Sequence, residues 1–394
     1  MVFLVYSDMK YVVAFLLLFS FGTIESQTKF GDPIFDKEKQ RVLERAAEYK
    51  DVEPITVTAS VCDRSAGGKN DFYSEGDYWW PDIENPKGPY IRKDGMTNPE
   101  NFTAHREAMI RFSQLAGALG SAYLVTGNKV YAQQLAPHLK AWFLDADTKM
   151  NPNLLYGQAI MGRVTGRGIG IIDTIHLMEV AKAVMAIADT DVLSVKELAG
   201  IKNWFSQYLA WITTHPYGIA ERDNGNNHSV CWALQVAVFS ELTGNEAQTE
   251  FAKNMYKIVL LPEQMANDGS FPLELKRTKP YGYSLFNLDV MTSLCQVLST
   301  PEENLFDYTT AEGKGIKKGM AFLFPYVEEK ATWPNAQDVM YWEEWPVRHP
   351  FLLFGGLAMK NESYLGLWNQ LDANFKTPEV VRNMPVRYPL LWIN

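Results

Sequence analysis

Residues 223–244 read "DNGNNHSVCWALQVAVFSELTG", and the fold is decided by how this stretch divides. Its first part is polar, with three Asn, a Gly and a His. Its second part carries Val230, Ala233, Leu234 and Ala237 at three- and four-residue spacing, the period of an α-helix with one face against a core. Gly244 closes the helix, as glycine often does. At the junction, Asn and Ser side chains suit the free amide groups of a first turn, and Gly225 lets the chain turn. One Asn or Ser is enough for a cap. Capping gives no reason for a histidine, so Asn227 and His228 are candidates for chemistry held on a rigid helix end.

The same period recurs outward in both directions. Helices are expected over 36–50, 102–127, 128–145, 166–189, 194–216, 246–265, 283–299, 315–329 and 362–375, with Gly127, Pro216, Gly244 and Pro262 as punctuation. Residues 52–58 read as a short extended piece. Residues 62–99 read as a long loop rich in Gly, Pro, Asp and aromatics, and a loop of that length inside a compact domain is usually functional. Strand-like alternation is scarce. Helices in pairs joined by short turns, with longer polar loops between pairs, predict an all-α single domain of helical hairpins around an axis, with a central cleft lined by helix ends.

Composition narrows the function. The chain has 394 residues, 47% hydrophobic and 13% aromatic, with a formal net charge of −9. It lacks the basic footprint of a nucleic-acid binder, although a local Arg/Lys cleft can still take an anionic substrate. Aromatic excess fills a core or provides platforms for sugar rings. Residues 1–26 read as a signal peptide whose true start is Met9, with an apolar run over 12–21 too short to span a bilayer. The mature chain, 27–394, is therefore expected outside the cytoplasm, periplasmic or extracellular. No Cys follows the apolar run before Cys62, so no lipid anchor is expected. Cys231 and Cys295 lie in apolar helical patterns and read as buried thiols. No Cys/His cluster has zinc-ligand spacing, and neither a metal nor a cofactor is expected.

Four further clusters stand out. "DFYSEGDYWWPDIENPKGPYIRKDG" (71–95) holds Tyr78, Trp79, Trp80 and Arg92. "GRVTGRGIGIID" (162–173) holds Arg163 and Arg167. "NDGSFPLELKRTKPYGYSLFNLD" (267–289) holds Arg277, Lys279, Tyr281 and Tyr283. "YWEEWPVRHP" (341–350) holds Arg348 and His349. Each alone suits a packed or solvated loop. Together with "NNHS" (226–229), the first three run in an order that resembles the alginate lyase superfamily of polysaccharide lyases. The wording is most similar to polysaccharide lyase family 38, over roughly residues 60–300.

The resemblance implies an (α/α) toroid or incomplete barrel of about six or seven hairpins, and β-elimination at a uronic acid. It places the catalytic residues at Asn227, His228, Arg277 and Tyr283. The Arg-to-Tyr spacing looks one residue shorter than in family 5, so Tyr281 competes with Tyr283. Tyr78, Trp79, Trp80, Arg92, Arg163, Arg167, Lys279, Tyr281 and His349 are the candidate substrate-binding residues. The expected partner is an anionic polysaccharide, alginate or a related polyuronate such as glucuronan, acted on by a monomer.

The residue types suit that chemistry. The C5 proton of a uronate lies beside a carboxylate that resists further negative charge. Arg277 and the Asn227 amide can neutralise it by charge-assisted hydrogen bonds. A base must remove the proton and an acid must protonate the C4 oxygen. His228 suits the base, because a helix N-terminus disfavours imidazolium. Tyr283 suits the acid if Arg277 lowers its pKa from about 10. Two other readings compete. A glycoside hydrolase would need paired carboxylates, with Glu221, Asp223, Glu343 and Glu344 available. A non-catalytic glycan-binding protein would need neither acid nor base.

Overall fold

The computed structural model describes residues 32–393, and the expected signal peptide at 1–26 lies outside the described residues. Fifteen α-helices are present among the described residues. Those that build the ring are α1 (Asp32–Glu48), α2 (Ala104–Thr126), α3 (Lys129–Phe143), α4 (Leu177–Ile187), α5 (Val195–Thr214), α6 (Pro216–Arg222), α7 (Asn227–Thr243) and α8 (Glu246–Met255). A π-turn then leads into α9 (Leu261–Gln264). There follow α10 (Pro272–Leu275), α11 (Pro280–Leu298), α12 (Ile316–Glu328), α13 (Pro350–Met359), α14 (Glu362–Gln370) and α15 (Pro378–Arg382).

The helices sort into two layers by burial. α2, α4, α7, α11 and α13 are buried on nearly every side, and neighbours in that order pack on one another. α3, α5, α8, α12 and α14 bury one stripe and face water on the other, as a 3.6-residue pattern requires. Each inner helix is followed by an outer one. These five pairs, with α1 against α2, form the helical toroid, one hairpin short of the expected six or seven. The core is continuous from Ile34 to Trp392.

Two local departures from the sequence reading place the site. The helix expected over 166–189 begins instead with tight 3-10 turns at Gly168–His176, and α4 starts only at Leu177. The long loop 62–99 contains short strands. β1 (Tyr73–Glu75) pairs in parallel with β4 (Tyr156–Ala159), and β2 (Trp79–Trp80) pairs antiparallel with β3 (Ile91–Arg92). Both ribbons join the elements that line the cleft described below. Cys231 and Cys295 are buried free thiols, as expected, and Cys62 is partly exposed. Among the described residues no helix is long and apolar enough to cross a membrane.

Candidate active site

A cleft of about 310 Å³ is lined by the N-terminal ends of α7 and α11, the 3-10 turns before α4, and the β2–β3 ribbon. Gly225, at φ 85°, turns the chain into α7. The cap is Asn226, whose side-chain oxygen accepts the His228 N–H at 3.0 Å. The next two residues are therefore free of capping, and each is held by a glutamate from another element. Asn227 donates its backbone N–H to Glu274 Oε1 at 2.9 Å and its Nδ2 to Oε2 at 2.7 Å. His228 Nδ1 lies 2.7 Å from Oε1 of Glu221, a side chain with no exposure. A carboxylate only accepts, so Nδ1 carries a proton, and in the neutral ring Nε2 is the nitrogen with the lone pair. The ring is thus set by a buried partner that fixes its tautomer, and not by the helix dipole alone.

Tyr283 lies in the first turn of α11. Its Oη is 2.6 Å from Tyr78 Oη, and Arg277 donates to it at 3.4 Å while lying 4.4 Å from the ring centre. Burial pushes the Tyr283 phenol well above its ordinary pKa, and the contact with Tyr78 adds to this. Arg277 opposes the shift without reversing it, so the expectation that Arg277 brings this phenol down is corrected. Burial therefore favours the neutral form of Tyr283 in the cleft.

Arg277 itself is matched by Asp94, with Nε and Nη2 at 3.2 and 3.0 Å from the carboxylate. Burial works against the charge on Asp94, but the Arg277 contact, supported by Arg92, holds its carboxyl at about 2. Arg167 differs from Arg277. Its guanidinium donates to the backbone oxygen and side-chain Oε1 of Gln158, each at 3.0 Å, and it has no carboxylate ion-pair partner among the described residues. Burial, and then the charge of Arg92, lower its pKa from the ordinary value. It is the least compensated cation lining the cleft.

The other expected binding residues divide. Tyr78, Trp79 and Arg92 line the cleft with Arg167. Arg163 lies 5.2 Å from the Trp79 ring centre and donates to Tyr90 O at 2.8 Å. It therefore holds the rim in place. Trp80, the next strand residue after Trp79, does not line the cleft. Its Nε1 bonds Met96 O at 2.9 Å and its ring lies beneath Lys93.

Three more expected residues are not brought to the cleft. Tyr281 is fully buried, donates to Tyr326 O at 2.9 Å and packs on Trp333 and Trp342. Tyr281 and Tyr283 are two positions apart, about 200° around a helix, so they point to opposite sides of α11. Lys279 is buried against Glu379 and lies 5.2 Å from both the Tyr78 and Tyr283 ring centres, supporting them from outside the cleft lining. His349 has no exposure, bonds Asp289 at 2.7 Å and stacks on Trp345, so it belongs to the core.

Glu274, Asp94 and Gln158 were not singled out from the sequence, and Glu221 was weighed only as a hydrolase carboxylate. The available signal was an acidic residue inside an otherwise apolar turn, "FPLEL", since an ionised side chain is rarely buried without a partner. The carboxylates placed for hydrolysis do not serve it. Glu221 is engaged by His228, Asp223 pairs with Arg222 at 2.7 Å, and Glu343 and Glu344 are exposed. Asp77 and Asp173 do line the cleft, but both contact Arg106, and Asp77 is held at about 2. That is the wrong direction for a glycosidase proton donor, whose pKa must be raised.

A helical toroid whose cleft sets a tyrosine and an oriented histidine among cations, with no carboxylate poised as an acid among the described residues, is the architecture of a polysaccharide lyase. The alginate lyase family model matches residues 56–333. The crystal structure of an alginate lyase from Bacteroides ovatus is 31% identical, with TM-score 0.78 over 92% of this chain and 94% of that one. Alginate lyase A1-III from Sphingomonas species A1 shares the fold at 15% identity, with TM-score 0.58 over 89% and 94% of the two chains. A variant of A1-III complexed with a tetrasaccharide has TM-score 0.55 at 16% identity, over 89% and 94%. No curated protein sequence matches the chain. The chain belongs to the alginate lyase family.

Proposed function

We propose that the protein cleaves a 1,4-linked polyuronate, alginate in the first place, by β-elimination that leaves a 4,5-unsaturated uronate at the new end. The observation that carries this is the pairing within one cleft of Tyr283, kept neutral by burial, with His228, whose Nδ1 is fixed by Glu221. The substrate carboxylate meets Arg167, Arg277 and the Asn227 amide, donors that are worth most on charge developing in a dry site. His228 Nε2 removes the C5 proton. The electron pair forms the C4–C5 double bond as the C4–O bond breaks, and Tyr283 gives its proton to the departing oxygen. The phenolate so formed lies against Tyr78 at 2.6 Å and Arg277 at 3.4 Å. Solvent then returns the proton from His228 to Tyr283.

This division of labour suits guluronate, where the C5 proton and C4 oxygen lie on opposite faces. In mannuronate or glucuronate they share a face, and Tyr283 would act as both base and acid. Burial opposes the ionised form that a tyrosine base needs. Because only guluronate requires a second group on the opposite face, a His228→Ala variant is expected to lose guluronate cleavage and keep whatever mannuronate reaction Tyr283 supports.

The reading includes an exported mature chain of residues 27–394 that works as a monomer, periplasmic or extracellular. N-terminal sequencing of the secreted protein and its sedimentation test those parts. The activity itself is tested by ultraviolet absorbance of the new double bond on mannuronate-rich alginate, guluronate-rich alginate and glucuronan. Tyr283→Phe is expected to lower the rate by roughly 10²- to 10⁴-fold, and Tyr281→Phe to leave it nearly unchanged. A flat trace on all three polymers with sugar still bound would move the reading to a binding protein.

A further inference from the structure

A second groove, of about 410 Å³, runs between α1, α2 and the C-terminal segment 373–388. Five cations line it, Arg41, Arg45, Arg111, Lys376 and Arg387, against two carboxylates, Glu48 and Glu107. A chain with net charge −9 has no general reason to gather cations there.

The packing behind the groove holds a built-in charge surplus, of which Arg41 and Arg387 reach the groove lining and Arg348 lies behind it. Arg41 and Arg348 share one buried carboxylate, Glu38, while Arg387 pairs with buried Glu179. Three arginines that are each at least nearly buried thus meet two buried carboxylates. The further acid near Arg348, Asp372, is exposed. Arg387 is 8% exposed, lines the groove, and its Nη1 is buried without a hydrogen-bond partner among the described residues. A buried donor left unpaired on a charged group is costly. At the mouth, Arg111 has only the Glu53 backbone oxygen, at 3.1 Å, and Lys376 has no partner among the described residues. Tyr49 and Phe375 supply apolar wall. The volume lies in the range of small-ligand sites.

We propose that this groove is a second, non-catalytic binding site for a short stretch of polyuronate chain. Carboxylates along the chain would answer Arg111 and Lys376 at the mouth and the arginine surplus below, and the sugar faces would rest on Tyr49 and Phe375. The identity of the ligand rests on the polyuronate reading of the cleft, whereas the presence of an anion site rests on the groove alone. The two are separated by one segment of chain. α15 turns Glu379 and Arg382 toward the ion pairs under the cleft, while Val381, Arg387 and Tyr388 line the groove. A polymer held at the groove would keep the enzyme near its substrate between cleavages, an effective-concentration gain that needs no new contact at the reacting bond.

The test uses the full mature chain carrying Tyr283→Phe, slowed so that little substrate is turned over during a titration, titrated calorimetrically with a saturated mannuronate hexamer. Two hexamers per protein are expected. Adding Arg111→Ala and Lys376→Ala, both changes at the solvent-facing mouth, should remove one of them or weaken it at least tenfold. The same two changes in the otherwise wild-type enzyme should leave turnover of a trimer unchanged and raise KM on long polymer. A single hexamer in the parent, or two undiminished in the double variant, overturns the proposal. Cellohexaose bound at the groove as well as the uronate hexamer would overturn its anionic basis. Inorganic phosphate that displaces the groove hexamer at lower concentration would reassign the site to a small anion and overturn the glycan. Wild-type absorbance on polymer reports separately on the cleft, so a flat trace beside two bound hexamers refutes the lyase reading and leaves the groove standing.

Discussion

At the scale of single residues, the site consists of reactive groups whose useful state is imposed by a second set of buried ones. Glu221 shows this most clearly. It is fully buried, its Oε1 holds His228 at 2.7 Å, and its Oε2 has no partner among the described residues. A buried carboxylate left half satisfied reduces stability, and its retention is explained by what it does for the imidazole. It fixes the tautomer and stabilises the cation formed when Nε2 takes a proton. Glu221→Gln keeps the shape and removes the charge. Guluronate kcat is expected to fall on the order of 10²-fold with KM little changed, and the His228 ring signals in nitrogen NMR should show altered tautomer populations. A change confined to KM, with the ring signals intact, would make Glu221 a packing residue. The pairs Asn227–Glu274 and Arg277–Asp94 follow the same pattern. Asn227, His228, Arg277 and Tyr283 could be found from their motifs because each sits beside a local helix-start or turn signal. Which residue partners each of them could not be found that way. Asp94 precedes Arg277 by 183 positions, and Glu274 follows Asn227 by 47, and no local pattern encodes a contact of that span.

At the scale of elements, helix starts do the positioning. α11 begins with Pro280 at its first position, and Lys279 offers no side-chain cap. The cap comes from a distant loop, where Asp338 accepts the Tyr281 and Gly282 N–H groups, each at 2.9 Å. A Cβ at position 282 would meet Asp338 Oδ2 at 2.8 Å, so glycine there lets the carboxylate approach. Burial raises the Asp338 carboxyl to about 6, leaving it mostly ionised at pH 7 against the positive helix end. Asp338→Ala should cost about 2 kcal/mol at pH 7, read by chemical denaturation. Because Tyr283 sits in the turn that Asp338 anchors, kcat should fall several-fold in the same variant. Unchanged kcat with lowered stability would separate the cap from the chemistry.

The amphipathic outer helices were legible because only one of their faces is apolar. α13 was not anticipated, because it is buried on nearly all sides and carries no stripe. α6 was missed because Pro216 reads as a stop, whereas it opens the helix at a position where a missing N–H is harmless. Apolar residues at three-residue spacing fit an α-helix and a 3-10 turn alike, so the sequence does not separate Gly168–His176 from α4.

At the scale of the whole molecule, the open side of the ring is fastened by charge. Asp77, beside the β2 strand, meets Arg106 of α2 at 2.7 Å and also Arg382 of α15, and Arg382 bonds Glu379 at 2.7 Å, which in turn holds Lys279 at the start of α11. One chain of largely buried ion pairs thereby joins the β2–β3 ribbon, an inner helix from each side of the ring and the C-terminal segment, at the cleft wall. Burial alone would raise the Asp77 carboxyl, but Arg106 and Arg382 outweigh it and hold it at about 2, below the ordinary 3.8. A carboxyl with a lower pKa folded than unfolded stabilises the fold fully above its unfolded value. It loses that contribution as pH falls through the folded one. The window is therefore about pH 4 down to about pH 2, and the amount from Asp77 is about 2 kcal/mol. Denaturant midpoints measured from pH 7 to pH 2 should fall steeply across that window. Asp77→Asn should be less stable at pH 7, because the buried Arg106 and the half-buried Arg382 lose their shared anion. Its own curve should be flatter below pH 4, since the titrating group is gone. Parallel curves for the two proteins would mean that the fastening lies elsewhere. If instead the variant flattens the acid limb and also lowers polymer cleavage at pH 7, the same ion pairs both close the ring and hold Tyr78 and Lys279 against Tyr283.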